Sequence, residues 1–517
     1  MSKQTFLKGT LILIAAGFIT KLLGFINRIV MARMLGPEGV GLYMMAIPTM
    51  LLLLTLTQMG LPVAIAKLVA EAEARNEHGR IKKILAVSIT ITGLLSIVFT
   101  TTLILLAPII ADTMLTDARA IYPLYAVIPI VPIIALSSVL RGYFQGKQNM
   151  KPTAYGQVIE QIVRITLVAV LTAAFMPLGL EYAVAGAMLS AICGELASLF
   201  YMVYLFKAQK PFRFRKNFFS AIKGERKTLT DLLGIAVPTT GSRLIGTTAL
   251  FFEPIVVAQS LALAGTMTVV ATQQYGLLVG YVVPLLTLPT FITYSLSVSL
   301  LPNLSEALAH NKTSLIHHRL EQALRMGLIS GGICVVILYV YASELMTLMY
   351  HAPEAATMLK VMAPFALFLY LQGPLQAALQ ALNYAKVSMM NSLVGALIKT
   401  GAIFALASNP GFGIMGAALA IVIGFVLVTL LHFASIAKTT GFFIHIRPII
   451  KLTLLIGATL ILSEQINQHL FLFLPYATKT LLAITLTGLI YVFGMIALRL
   501  LTKEELQLIP FFKNRNK

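Results

Sequence analysis

Lys21, Arg28, Arg164, Arg243 and Lys399, with Lys360 at an outer edge, share otherwise apolar stretches with Glu160, Glu195 and Glu253. An ionised side chain at the centre of a bilayer costs at least about 2.5–3.5 kcal/mol on insertion scales, so each needs a compensating role. The cations recur in pairs. Lys21 in Thr20-Lys21-Leu22-Leu23-Gly24 answers to Arg243 in Ser242-Arg243-Leu244-Ile245-Gly246, 222 positions on, and Arg164 answers to Lys399, 235 positions on. The balance is net positive. Clustered Lys and Arg bind phosphate and pyrophosphate well, so the chemistry expected is recognition of an anion.

Spacing refines this. Lys21 and Arg28 are seven apart and share one face of a helix, with Gly24 between them for close approach. Arg28 either faces the same site or snorkels to an interface. Glu160 and Arg164 are four apart, flanked by Gln157 and Gln161. They either pair internally, which would cancel the field of Arg164, or leave Arg164 for substrate. Lys399 has Gly395 where Glu160 would stand, which makes it the better candidate for a substrate contact or for a partner to an acid across the cavity. Glu195 is a lone acid that either pairs with a neighbouring helix or carries a proton or ion. Pro238-Thr239-Thr240-Gly241-Ser242-Arg243 and Glu253-Pro254 predict a helix broken twice and lining a cavity.

The elements that must position these residues are membrane helices. The chain has 517 residues, 58% hydrophobic and 11% charged, with a mean hydropathy of +0.88. Long apolar runs recur throughout, which excludes a soluble domain and a β-barrel. Fourteen spans are expected at about 9–30, 41–60, 84–111, 121–140, 156–178, 183–206, 233–260, 273–300, 326–350, 357–382, 389–407, 412–436, 449–470 and 480–498. With the N-terminus in the cytoplasm, 30 of the 39 Lys and Arg fall in inside loops and three outside (Arg33, Arg119 and Lys479). That asymmetry obeys the positive-inside rule, puts both termini in the cytoplasm, and accounts for the net charge of +20 without nucleic acid.

The first six spans and the next six read as copies. Leu61-Pro62 matches Leu301-Pro302, Gln145 and Lys151 match Gln380 and Lys386, and Gly186-Ala187-Met188-Leu189 resembles Gly416-Ala417-Ala418-Leu419. An even number of spans gives both copies one orientation, with a site expected between them near the midplane. The fold expected is an all-α polytopic membrane protein of two pseudo-symmetric six-helix lobes, 1–206 and 233–438, joined by a basic cytoplasmic linker at 207–232. Two appended helices and a cytoplasmic tail occupy 439–517.

Enzymatic signatures do not emerge. Gly142-Tyr143-Phe144-Gln145-Gly146-Lys147 has the wrong spacing for a phosphate-binding loop, and no zinc-ligand spacing or nucleophile, base and orienter set is visible. No cofactor and no metal site are expected. Cys193 and Cys334 read as small packing residues.

Longer motifs add a resemblance. The first-helix Thr20-Lys21-Leu22-Leu23-Gly24-Phe25, with fourteen spans and a six-plus-six repeat, resembles the polysaccharide-flippase branch of the multidrug/oligosaccharidyl-lipid/polysaccharide exporter superfamily, which has the MATE-like fold. Lys3-Gln4-Thr5-Phe6-Leu7-Lys8-Gly9-Thr10, Val139-Leu140-Arg141-Gly142-Tyr143-Phe144-Gln145-Gly146-Lys147-Gln148, Pro238 to Arg243 and Phe252-Glu253-Pro254-Ile255-Val256-Val257-Ala258-Gln259 resemble the sporulation members of that branch in spore-forming Firmicutes. The resemblance runs over essentially the whole chain. It implies a protein of the mother-cell or outer forespore membrane that moves an undecaprenyl-linked saccharide such as lipid II for the spore cortex, with membrane lipids and cortex peptidoglycan synthases as its other partners. Related lipid II flippases carry Ser-Arg where Thr20-Lys21 stands, and their next arginine aligns with Asn27, beside Arg28. Their second- and eighth-helix arginines have no counterpart in Met50 to Thr57 or at Tyr275-Gly276-Leu277. The resemblance thus implies a cationic cavity with its own contacts: Lys21 and Arg243, with Arg28, Lys399 and Arg164. Three other functions are weighed against it. A drug or cation antiporter of the same fold predicts an acid where Lys21 stands, a non-transporting scaffold for cortex enzymes predicts dispensable cations, and a glycosyltransferase predicts paired acids on a metal.

Overall fold

The computed structural model describes residues 3–208, 226–443 and 445–500, with side chains from residue 17 onward except that of Ser242; most of the expected linker and the C-terminal tail lie outside the described residues. Every described element is helical. The first unit is built on α1 (Lys3–Gln58), α2 (Leu61–Ala74), α3 (His78–Ile109), α4 (Ile121–Val127), α5 (Ile130–Gly146), α6 (Lys151–Phe175), α7 (Leu180–Ala208), α8 (Arg226–Leu263) and α9 (Thr268–Tyr275). The second contains α10 (Val283–Thr287), α11 (Thr290–Ala309), α12 (Thr313–Val340), α13 (Ala342–Tyr350), α14 (Ala356–Met362), α15 (Ala366–Ala381), most of α16 (Ala385–Ala407) and α17 (Ile414–Thr440), then α18 (Ile446–His469) and α19 (Tyr476–Ala497).

Thirteen stretches among the described residues are long and apolar enough to cross a membrane, the first being the 58 residues Gly17–Ala74. At about 1.5 Å per residue a rod of that length greatly exceeds a hydrocarbon core of about 30 Å, so it supplies two crossings. The division falls at Gly36, whose φ of 66° and ψ of 178° separate two helical rods, the second starting at Pro37. Thirteen stretches therefore carry fourteen passes, and the chain is a multi-pass membrane protein. Outward-facing apolar residues such as Leu105, Phe200 and Phe493, exposed by 69%, 67% and 75%, suit lipid rather than water.

By packing, Met1–Gly280 with Ile403–Gly416 form one unit and Tyr281–Ala402 with Ala417–Lys517 the other. α8 and α9, which open the second sequence copy, pack in the first unit. Leu232 and Ala236 of α8 join a core of Leu61, Ile65, Ile84, Val139 and Phe144. The turn ahead of α2 meets α8 so closely that a Cβ on Gly60 (φ 62°) would lie 2.7 Å from the Ala236 carbonyl oxygen. Only glycine suits that combination of positive φ and backbone approach. In the second unit α18 and α19 pack on α12, where the Tyr491 hydroxyl donates to the Ile329 carbonyl at 2.8 Å.

One expectation needs correction. α8 runs unbroken through Pro238 and Pro254. A proline removes one helical hydrogen bond, and in apolar surroundings the rest of the ladder is worth keeping. Thr239 and Thr240, in the turn after Pro238, donate their hydroxyls to the Ile235 and Ala236 carbonyls at 2.8 and 2.7 Å.

Candidate substrate-binding site

The site is built on the α6–α7 pair, whose helices meet through glycine. A Cβ on Gly194 would stand 2.7 Å from the Glu160 carbonyl oxygen and 3.3 Å from the Arg164 Cβ, and one on Gly186 would stand 2.9 Å from the Leu171 carbonyl oxygen. This closeness sets Glu195 of α7 beside the polar face of α6. Arg141, one helix earlier on α5, completes the group. Its Nη2 donates to Glu195 at 2.7 Å and lies 3.7 Å from Glu160, while Arg164 Nη2 donates to the other Glu160 oxygen at 2.7 Å. The acids are the more buried members, with side chains exposed by 3% (Glu195) and 12% (Glu160) against 23% for each arginine. Two cations face two anions, so the quartet is neutral as a group. Glu160 and Arg164 are thus paired, and Glu195 has a partner that sequence spacing did not reveal.

Arg141 is the residue that sequence reading missed. It sits at the end of an apolar run and counts among the inside loop cations, yet its guanidinium reaches back between two buried carboxylates. The available signal was Glu195 itself, since a buried acid needs a cation.

α1 runs alongside α6, with Gly24 opposite Gln161: a Cβ there would lie 3.9 Å from Gln161 Oε1. The surrounding polar groups are not satisfied by the chain. Thr20 Oγ1, Asn27 Oδ1, Gln161 Oε1 and Arg164 Nε are buried and have no hydrogen-bond partner among the described residues. Each such group costs about 1–3 kcal/mol when left unpaired, so these four, on two facing helices, call for water or a polar ligand. Lys21 is exposed and Arg28 half-buried on α1, and Phe18, Ile19, Leu22 and Ile26 of the same helix are exposed. On α8, Arg243 is exposed and Glu253 half-buried. Lys399 and Lys360 belong to the second unit, Lys399 half-buried on α16 and Lys360 exposed on α14.

The geometry repeats between copies. A Cβ on Gly424 of α17 would lie 3.3 Å from the Lys399 Cβ, as one on Gly194 would from the Arg164 Cβ, and one on Gly416 would lie 2.6 Å from the Leu406 carbonyl oxygen, as Gly186 approaches Leu171. Arg164 and Lys399 thus occupy equivalent places on equivalent helix pairs. The neutralising residues do not repeat: at the matching offsets Gln376, Gly395 and Phe425 stand for Arg141, Glu160 and Glu195. The nearby polar group of the second unit is different, with Asn391 donating to Ser435 at 2.9 Å and lying 3.3 Å from His432 Nδ1.

Comparison with known proteins agrees with this architecture. Residues 6–308 match the model of the polysaccharide biosynthesis protein family, and residues 278–404 match the MatE model. Stage V sporulation protein B of Bacillus subtilis (strain 168) is 57% identical over 99% of this chain and 98% of its own. The lipid II flippase MurJ of the same organism is 24% identical over 84% of this chain and 83% of its own. Among solved structures, lipid II flippase MurJ in an inward closed conformation superposes with a TM-score of 0.71 at 16% identity, covering 94% of this chain and 98% of that one. An inward-facing MATE multidrug transporter superposes with a TM-score of 0.65 at 17% identity, covering 82% and 94%. The chain belongs to the polysaccharide biosynthesis protein family and has the helical membrane fold shared by MurJ and the MATE transporters.

Proposed function

We propose that this protein is a flippase that carries an anionic, undecaprenyl-pyrophosphate-linked saccharide of the lipid II type across the cytoplasmic membrane by alternating access, supplying spore cortex synthesis. The observation that carries the reading is the repeat of cations in a chain otherwise built for lipid, Lys21 with Arg243 in matching sequence motifs and Arg164 with Lys399 on equivalent helix pairs. In this reading Lys21, Arg28, Arg243 and Lys399 hold the pyrophosphate, and the unsatisfied Asn27 and Gln161 side chains take the polar headgroup. Arg164 is a positioning residue, because its charge is engaged by Glu160. The lipid tail stays in the bilayer. The names of the relatives support the class of substrate and the sporulation setting, and the positive-inside bias supports cytoplasmic termini, with cortex peptidoglycan synthases as consumers of the product. A cation antiporter is less well supported, since Glu160 and Glu195, the acids of this site, are held by arginines.

The test is complementation of a deletion strain with Lys21→Gln, Arg243→Gln and the double variant, scoring cortex and heat resistance beside protein level in the membrane. The flippase reading expects normal protein level, lost cortex and lipid-linked precursor accumulating at the cytoplasmic face. Normal spores from all three variants would favour a non-transporting scaffold.

A further inference from the structure

The second unit carries a groove that the transport reading does not use. It lies between α12 and the start of α18 and contains about 420 Å³ of open space. Leu324 and Leu328 of α12 and Ile449 and Leu452 of α18 form its walls, and Leu500, just after α19, completes them. Leu452 and Leu500 are buried with Ile329 in the core that binds α18 and α19 to α12, so the groove is shaped by fixed packing. Ile446, Ile450 and Leu454 follow one face of α18 at four-residue steps and are exposed, which suits a surface that meets lipid.

The charged part of the lining is Glu321, Arg325 and His445. His445 Nδ1 lies 2.9 Å from Glu321 Oε1, so the acid of the groove is engaged. Arg325 is four residues further along the same face of α12. Across 312–325 and 438–451 the cations are Lys312, Arg319, Arg325, Lys438, Arg447 and Lys451, and the acid is Glu321. Lys451 Nζ donates to the Leu498 carbonyl at 3.2 Å, which keeps its ammonium two residues from Leu500. The positive-inside bias assigns these segments to the cytoplasmic side. An apolar slot beneath a cationic surface at that depth matches the two ends of an anionic phospholipid, a chain in the hydrocarbon and a phosphate at the headgroup level. A zwitterionic lipid brings no net charge to answer the surplus of cations.

We propose that this groove binds an anionic phospholipid of the inner leaflet, of the phosphatidylglycerol type, with Arg325 on its phosphate, Arg447 and Lys451 in the surrounding field, and an acyl chain along Leu328, Ile449 and Leu452. A guanidinium suits the task because its fork of donors matches phosphate oxygens. The lipid touches both α12 and α18, so it adds to the hold of the appended helices on the second unit. Binding to the folded protein alone raises its stability by mass action. The proposal does not depend on what the α1–α6 cleft carries.

Native mass spectrometry of the full chain, delipidated in detergent and titrated with phosphatidylglycerol or phosphatidylethanolamine of matched chains, tests it. One phosphatidylglycerol should bind in preference to phosphatidylethanolamine and raise the heat-denaturation midpoint. Arg325→Gln should weaken that binding by roughly 10-fold or more, the loss of a hydrogen bond to a charged group, and Arg325→Lys should keep part of it. Two variants at less buried positions guard against misfolding. Arg447→Gln/Lys451→Gln, at exposed residues, should weaken phosphatidylglycerol alone, and Ile449→Trp, on a half-buried wall, should block the groove to both lipids. Equal retention of the two lipids by the parent, or phosphatidylglycerol binding unchanged in all of these variants, would overturn the proposal. So would binding that appears only after residues 501–517 are removed, which would give the groove to the chain's own tail. Displacement of phosphatidylglycerol by a stoichiometric amount of undecaprenyl phosphate would also overturn it, giving the groove to the lipid of the substrate.

Discussion

Glu195→Gln should destabilise the fold, and a compensating change at Arg141 should restore most of the loss. Glu195 lies 2.7 Å and Glu160 3.7 Å from the Arg141 guanidinium. At an effective dielectric of about 20 those separations correspond to attractions of roughly 6 and 4.5 kcal/mol, so Glu195 supplies more than half of the pull on Arg141. Stripping a buried charge of its only partner costs about 3–5 kcal/mol; with Glu160 still near, though engaged by Arg164, the expected cost is about 2–3 kcal/mol. Arg141→Met alone should cost a similar amount by stranding Glu195. The double variant Arg141→Met/Glu195→Gln removes both charges, leaves Glu160 with Arg164, and should return to within about 1 kcal/mol of the parent. The assay is the heat-denaturation midpoint of each detergent-solubilised variant, read as monodisperse protein by fluorescence-detected size exclusion. Additive losses in the double variant would refute the pairing.

Three further outcomes follow from the packing. Gly194→Ala should cost about 1–3 kcal/mol by wedging α6 from α7, whereas Gly246→Ala, with nothing within 4 Å, should be neutral or gain up to about 1 kcal/mol in the same midpoint measurement. Tyr491→Phe should cost about 1 kcal/mol and loosen α18 and α19 from α12, seen as faster proteolysis between 441 and 476. Lys399→Gln should abolish complementation while the protein still reaches the membrane, whereas Arg164→Gln should lower the midpoint because it releases Glu160.

The hydropathy pattern predicted the passes well because spanning length is set by the bilayer, and the duplication was readable because paired motifs keep their order and offset. The break at Gly36 falls in the gap between the expected spans 9–30 and 41–60, but the helical continuation on both sides of it, across the polar stretch, was not readable from hydropathy. The prolines of α8 misled for the opposite reason: their local preference was outweighed by the value of an unbroken ladder in apolar surroundings. Lys21, Arg164 and Lys399 stood out by rarity, but Arg141 did not, since an arginine at the end of a span looks like a loop cation until the helix across from it is known. A cluster around Asp117 was equally hidden: Glu38 and Thr272 lie in two helices and Asp117 in a turn, far apart in sequence, and only tertiary packing brings them together.

The central claim is that cations contributed by both copies, Lys21 and Lys399 among them, hold the anionic headgroup during transfer. The direct measurement is reorientation of a fluorescent undecaprenyl-pyrophosphate-linked saccharide in vesicles containing the purified protein, followed by quencher access to the headgroup. The parent should equilibrate the lipid between leaflets, and Lys21→Gln/Lys399→Gln, folded to the same midpoint, should fall to the rate of empty vesicles. Undiminished reorientation by that double variant would contradict the claim.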